Sequence, residues 1–339
     1  MAKFVYAPIL KFKEGEIKGF GNLTPFEKEK TLPIFDLIDN IDKEKILEKL
    51  IRYNIKTIGL DVFKVFDCTN SEFLNKLYLE AKKEGVDIIP IINLKDYDII
   101  NNIDEFASST IGVRVTLPLG FDAPFSSTDV FQILNNVNKT FFLIIDIEDI
   151  NDDNIDLKFS ILGTFINELK RILHNTNTDI IVSSNSFPTD INEVEKGDYE
   201  FFDRKEIKLF NVLKKRHKLN FIYSDYGVTK YVENNLDFSK INGSKILAKI
   251  RYTLEDSYLI YRGRNASGIE SKIGYKTLAT NLINSVHYKG EEYSLGDKKI
   301  KEISQGNKED GGKGTTWVMI STNHHLTLVL KQLEQLFGL

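Results

Sequence analysis

The chain has 339 residues, of which 42% are hydrophobic and 28% charged, with a formal net charge of −4. That is the balance of a soluble globular protein with a sizeable core, and it excludes a global field that would draw the chain to nucleic acid. The single cysteine, Cys68, excludes a disulfide framework and fits a reducing cytoplasm. No stretch approaches the roughly 18 apolar residues of a membrane span.

In chain order, residues 4–10 predict a first strand, followed by a run broken at Lys11 that lacks the apolar core of a signal peptide. Residues 22–30 predict a short helix with Thr24 as N-cap and Pro25 at its first position. Then come eight apolar runs: 32–38 (LPIFDLI), 57–62 (TIGLDV), 87–93 (DIIPIIN), 111–117 (IGVRVTL), 141–147 (FFLIIDI), 179–185 (DIIVSSN), 221–226 (FIYSDY) and 246–252 (ILAKIRY). Helical spacing recurs between most of them, at 42–53, 71–84, 128–137, 159–174 and 203–217. Asp42 and Ser71 are the expected caps, and Gly85 the expected stop. This rhythm predicts an α/β fold, a (β/α)8 TIM-like barrel with an N-terminal strand in front and a C-terminal α+β extension packed on it. The barrel is expected over 1–256 and the extension over 257–339. The extension holds a β-like run at 257–262, a helix at 272–287, a polar meander at 288–305, a glycine-rich loop at 306–316, a short strand at 316–321 and a last helix opening at His324.

Side chains alternate along a strand, so each run has a helix-facing and an interior register. The helix-facing register reads mostly apolar. The interior one collects four acids, Asp36, Asp61, Asp146 and Asp225, and three bases, Arg114, Lys249 and Arg251. An isolated charge in a dry interior costs several kcal/mol, so these groups must pair, bind an ion or face water. Two readings are open. Either they line a pocket at the C-terminal mouth, or they plug the barrel as an ion-pair network. In the pocket reading, Asp61, Asp146 and Asp225 supply acid and base or hold a metal, and Arg114, Lys249 and Arg251 grip an anion such as phosphate.

Other motifs are weaker. His324 and His325 are adjacent and point about 100° apart on a helix, a poor metal pair by themselves. Arg262-Gly263-Arg264 reads as a turn that could take phosphate. The loop at 306–316 fails the phosphate-loop pattern. The basic cluster at 214–218 (KKRHK) reads as a helix end or a nucleic-acid contact. Cys68 reads as a packing residue unless a histidine neighbours it. No motif assigns a cofactor or a metal, and none fixes an oligomeric state.

Several segments together resemble the Beta protein family of bacteria and their mobile elements. They are 6–11 (YAPILK) with Gly15-Glu16, 32–38, where that family usually has Glu in place of Asp36, 224–227 (SDYG), 250–253 (IRYT) with 261–263 (YRG), Gly296-Asp297, Gly306-Asn307, and Trp317 leading to His324-His325. The resemblance implies an association with prophages and defence loci and no particular chemistry. Its recurring positions include Asp36, Asp225, Arg251, Tyr252, Arg262, Asp297, Asn307 and His325. It adds Tyr252, Arg262, Asn307 and His325 to the candidate ligand-binding set. The expected partner is a phosphate-containing ligand or a phage or defence protein. Nucleic acid is a weaker expectation and a membrane is not expected.

Overall fold

A computed structural model describes residues 4–66, 69–94, 103–117, 132, 138–172, 178–188, 190–217, 219–229, 247–267, 271–307 and 311–338. The expected helix at 128–137, the thiol of Cys68 and Lys218 of the basic cluster lie outside them, apart from residue 132. The chain forms two compact units.

The barrel unit comprises Met1–Phe12, Lys28–Ser186 and Lys205–Tyr226. Its strands are β1 (Ile9–Lys11), β2 (Ile34–Asp36), β3 (Thr57–Asp61), β4 (Asp87–Asn93), β5 (Thr110–Thr116), β6 (Thr140–Asp149), β7 (Ile180–Asn185) and, after the second unit's β8 (Tyr199–Asp203), β9 (Phe221–Ser224). All eight are parallel, in the order β1-β2-β3-β4-β5-β6-β7-β9. Ala7 N–H donates to Tyr223 O at 2.9 Å and Ile9 N–H to Asp225 O at 2.8 Å, joining first strand to last. The result is a nearly closed (β/α)8 TIM-like barrel. Helices α3 (Lys43–Arg52), α4 (Phe63–Phe66), α5 (Ser71–Lys83), α6 (Ile155–Ile172) and α7 (Lys205–Arg216) lie between strands, following α1 (Glu14–Gly21) and α2 (Pro25–Glu29).

The strands explain themselves chemically. Runs such as IIPII and FFLII are β-branched or aromatic, and strands covered on both faces carry no polar alternation until their ends. Helix α5 starts where the Asn70 side chain accepts from Phe73 N–H at 2.9 Å, so Asn70, not Ser71, is its cap. It stops at Gly85, whose φ of +69° a side chain would strain.

Two of the expected strand assignments change. The N-terminal strand, expected in front of the barrel, is its first member. The run at 246–252 is not in the barrel. Its strand, β10 (Lys249–Thr253), pairs antiparallel with β11 (Ser257–Arg262), and β11 with β8, in a separate three-stranded sheet. Apolar alternation is the same in either kind of sheet, so it could not tell them apart.

That sheet belongs to the second unit, Lys13–Glu27, Phe187–Arg204 and Gly227–Leu339. The unit also contains α1, α8 (Tyr275–Ile283), α9 (Leu295–Gln305) and α10 (Gly314–Phe337). The expected meander at 288–305 is largely α9, capped by the Ser294 hydroxyl accepting from Asp297 N–H at 3.0 Å. The expected strand at 316–321 is the first part of α10. Its β-branched residues favour a strand locally, but the helix is buried on most of its circumference and tertiary packing decides.

α9 approaches α10 at Gly296. A Cβ there would lie 2.4 Å from Ile320 O and 3.2 Å from His324 N, both backbone atoms that cannot rotate away. Gly296→Ala is expected to lower stability by about 1–3 kcal/mol, measurable as a shifted urea midpoint at unchanged slope.

Candidate functional site

The barrel unit gathers its polar side chains at the C-terminal ends of its strands. Asp36, Asp61 and Asn93 are the last residues of β2, β3 and β4, Arg114 lies two from the end of β5, and Asp146 lies near the end of β6. Arg114 is 3% exposed and stands at the centre. Its Nη1 donates to Asp36 Oδ1 at 2.8 Å and Asp61 Oδ2 at 2.9 Å. Its Nε and Nη2 donate to Asp146 Oδ2 at 3.1 and 2.7 Å, and Nη2 also to the Tyr226 hydroxyl at 2.6 Å. A guanidinium has five N–H groups, and all five are used. Tyr226 passes its own proton to Asp146 Oδ2 at 2.5 Å. Lys64 Nζ donates to Asp36 Oδ2 at 2.7 Å, and the Asn93 amide to Asp61 Oδ2 at 3.4 Å.

These contacts set the charges. Burial pushes the Asp36 carboxyl up, but Arg114 and Lys64 together outweigh it and hold it below its ordinary value. For Asp61 burial wins, helped by the Asp36 charge beside it, and its proton is held more tightly than usual. Burial disfavours the Arg114 charge, yet the surrounding carboxylates and phenol keep it firmly protonated. Three carboxyl groups face two cations here.

The rim beyond Asp146 is irregular. Pairing with β7 shifts between Asp146 and Asp149, and Glu148 lies at a φ of +55°. Asp146 Oδ1 accepts from Glu148 N–H at 3.0 Å, and Lys158 Nζ donates to the carbonyls of Ile147 and Asp149, both at 2.6 Å. Burial raises the Asp149 carboxyl and lowers the Lys158 amine. On the interior face beside Asp146, the buried hydroxyls of Ser183 and Ser224 have no hydrogen-bond partner among the described residues.

The expected interior register therefore holds for Asp36, Asp61, Arg114 and Asp146, and is corrected for three residues. Asp225 faces away from the interior. It shares its side of the chain with Tyr223, whose ring packs 5.1 Å from Phe210 of α7, and it accepts from the Tyr6 hydroxyl at 2.6 Å. The interior phase of β9 is Ile222, Ser224 and then Tyr226. Lys249 and Arg251 are on β10, in the second unit. Tyr226 and Lys64 were missed. Counting by twos from Ile222 would have found Tyr226, whereas nothing in the sequence marks Lys64.

The other candidates lie in the second unit. Arg251 donates to Val228 O at 3.2 Å and sits 5.6 Å from the Phe187 ring centre. Arg262 donates from Nη1 to the carbonyls of Asn192 and Val194, each at 2.7 Å. Lys249 is half-buried opposite Arg262 in the ladder, and Asn307 is exposed beyond α9. His325 Nδ1 meets the Thr253 hydroxyl at 3.0 Å.

The densest network there centres on Asp297. His324 Nδ1 donates to its Oδ2 at 2.8 Å, Tyr252 to its Oδ1 at 2.7 Å and Ser294 to its Oδ2 at 2.5 Å. His324 Nε2 donates to Thr253 O at 2.8 Å, and the imidazole stacks on Tyr252 at 3.9 Å. Both ring nitrogens lie within hydrogen-bond distance of oxygen atoms. Burial raises the Asp297 carboxyl, but His324 and the hydroxyl donors bring it below the ordinary range. His324 and His325 thus lie within α10, not at its start.

Among the described residues no cluster of three His, Cys, Asp or Glu side chains is placed to hold a metal ion. Likewise, no helix among them is long and apolar enough to cross a membrane. The chain is 25% identical to "Protein beta" of Enterobacteria phage P4 across 98% of its own length and 93% of that protein. The model of the Beta protein family matches residues 6–331. From its Tyr6 opening to the last helix, the chain belongs to the Beta protein family.

Proposed function

We propose that the chain is a non-catalytic sensing or protein-interaction module of a bacterial anti-phage system. The observation that carries this reading is the saturation of Arg114. A buried guanidinium whose five donors already bind three carboxylates and a phenol has none left for a substrate anion. The cluster then fixes the barrel's register rather than performing chemistry. The phage setting is supported by the likeness to a phage P4 protein. A bound cofactor or metal forms no part of this reading.

The test is a phage challenge of cells expressing the gene, with Asp61→Asn as the informative variant. The amide keeps the shape of the side chain and removes a buried charge, so the variant is expected to fold and to protect as the parent does. Protection lost in a folded Asp61→Asn protein would favour the second reading. That reading is a hydrolase or phosphodiesterase acting on a phosphate-containing ligand at the barrel mouth. The strained Glu148 and the raised pKa of the Asp61 carboxyl support it. If the gene gives no protection against any phage tested, the defence role fails. Nucleic-acid binding is the least supported use, since Lys214 and Arg216 of the basic cluster lie over the rings of Phe210 and Phe159.

A further inference from the structure

Among the described residues, strand β8 is an edge of the second unit's sheet and pairs with β11 alone. The pairing follows a fixed alternation. Arg204 N–H donates to Asp256 O at 2.8 Å across the ladder, so the inward bonds fall on Phe202 and Glu200, opposite Tyr258 and Ile260. The N–H and C=O of Phe201 therefore point to the open edge. The Tyr199 N–H on that edge is met by its own neighbour, Asp198 Oδ1, at 2.8 Å.

The side chains along this edge are unusual for a solvent-facing strand. Tyr199 is 49% exposed and Phe201 45%. Their rings lie 5.8 Å apart, with Tyr261 5.1 Å from Tyr199 and His287 5.2 Å from Phe201. Val286, next to His287, is 95% exposed. Exposed edges are normally blunted by lysine, proline or a bulge, and this one carries aromatic rings instead.

The charges along it are mostly negative. From 193 to 203 the exposed ionisable groups are Glu193, Glu195, Asp198, Glu200 and Asp203 against Lys196 alone. That excess repels a nucleic-acid backbone. It also opposes a second copy of β8, which would bring a like set of acids alongside.

We infer that β8 is a docking edge for an extended basic peptide, which adds as a further strand beside Phe201. Main-chain bonds to the Phe201 edge would give affinity. Apolar residues at alternate positions would cover Tyr199, Phe201 and Val286, and lysine or arginine on the other face would meet Glu200. The inference rests on the interaction-module reading and names the class of partner.

The test uses fluorescence anisotropy with the full chain and a short labelled peptide in which lysine alternates with valine and threonine. Saturable binding is expected. It should weaken at least about tenfold, or 1.4 kcal/mol, when glutamate replaces lysine in the peptide. Phe201→Pro should weaken it similarly. That substitution removes an outward N–H and leaves the β11 ladder intact, as proline on an edge can. Glu200→Lys, which keeps the ring and the backbone, should do the same. Absence of binding would overturn the proposal, as would binding indifferent to both variants or to peptide charge. Self-association of the chain abolished by Phe201→Pro would also overturn it, since the occupant would be a second copy. A chain that still protects cells while failing to bind the peptide would remove the docking edge and leave the defence role standing.

Discussion

Replacing Arg114 by methionine is expected to cost the barrel about 3–5 kcal/mol, the loss typical when one partner of a buried ion cluster is removed. Asp36, Asp61 and Asp146 would remain 2%, 3% and 1% exposed with the guanidinium gone. The pH response separates this from loss of packing. In the parent, Asp36 has a lowered pKa in the fold. Its contribution is present above the ordinary carboxylate pKa and is lost as pH falls through the folded value. Without Arg114, the burial that already pushes Asp36 and Asp61 upward loses its main counterweight and raises both. Their proton then stabilises the fold, so the variant should gain more stability on mild acidification than the parent, in which the lowered Asp36 and the raised Asp61 act in opposite directions. Urea titrations of both proteins at neutral and mildly acidic pH check this. Adding Asp36→Asn and Asp146→Asn to Arg114→Met should restore part of the loss, because the excess buried charge goes with them. A lone Arg114→Met protein with parental stability would show that the cluster carries no weight in the fold.

Asp297→Ala is expected to be nearly as damaging, at about 3–5 kcal/mol. It strips the acceptor from His324, Tyr252 and Ser294 together. His324 and Asp297 are both 0% exposed, so water cannot replace the lost partner. Asp297 also has a lowered pKa in the fold. Its stabilisation is therefore complete above the ordinary carboxylate range and disappears as pH falls below it. Asp297→Asn should retain the shape, lose the attraction to His324 and flatten this acid-side dependence. Thermal melts of parent, Asp297→Ala and Asp297→Asn over a pH series distinguish the cases. An undiminished acid dependence in Asp297→Asn would place its origin elsewhere.

The parallel βα rhythm and the clustering of Asp36, Asp61, Arg114 and Asp146 were legible in the sequence because both follow from alternation along strands. What alternation cannot supply is phase and partner. FIYSDY places apolar and polar residues in both registers, so its pattern points to Asp225 for the interior whereas Ile222, Ser224 and Tyr226 face it. ILAKIRY has the pattern of a barrel strand, yet its partner is the neighbouring SYLIYR run, and antiparallel pairing takes Lys249 and Arg251 out of the barrel. β1, a barrel strand only three residues long, was read as a strand ahead of the barrel. Helix α10 hid for another reason. Its buried face covers most of the cylinder, so TTWVMIST shows no amphipathic stripe and its β-branched residues mimic a strand. The Asp297–His324 pair joins residues that the sequence only brought together through the family resemblance.

The segment order of the second unit has a consequence for biosynthesis. Helix α1 lies between the first two barrel strands in sequence, but it packs on α10, where Asn323 donates to Gly19 O across 304 positions. A Cβ at Gly15 or Gly19 would meet Val318 or Thr322 at 2.7 Å, so the two helices meet at these glycines. At typical elongation rates of 5–20 residues per second, α1 leaves the ribosome about 15–60 s before its partner. A nascent chain must carry Gly15 and Gly19 without their α10 neighbours for that interval. Premature termination anywhere before α10 would leave them uncovered for good, marking the fragment for chaperones and proteases.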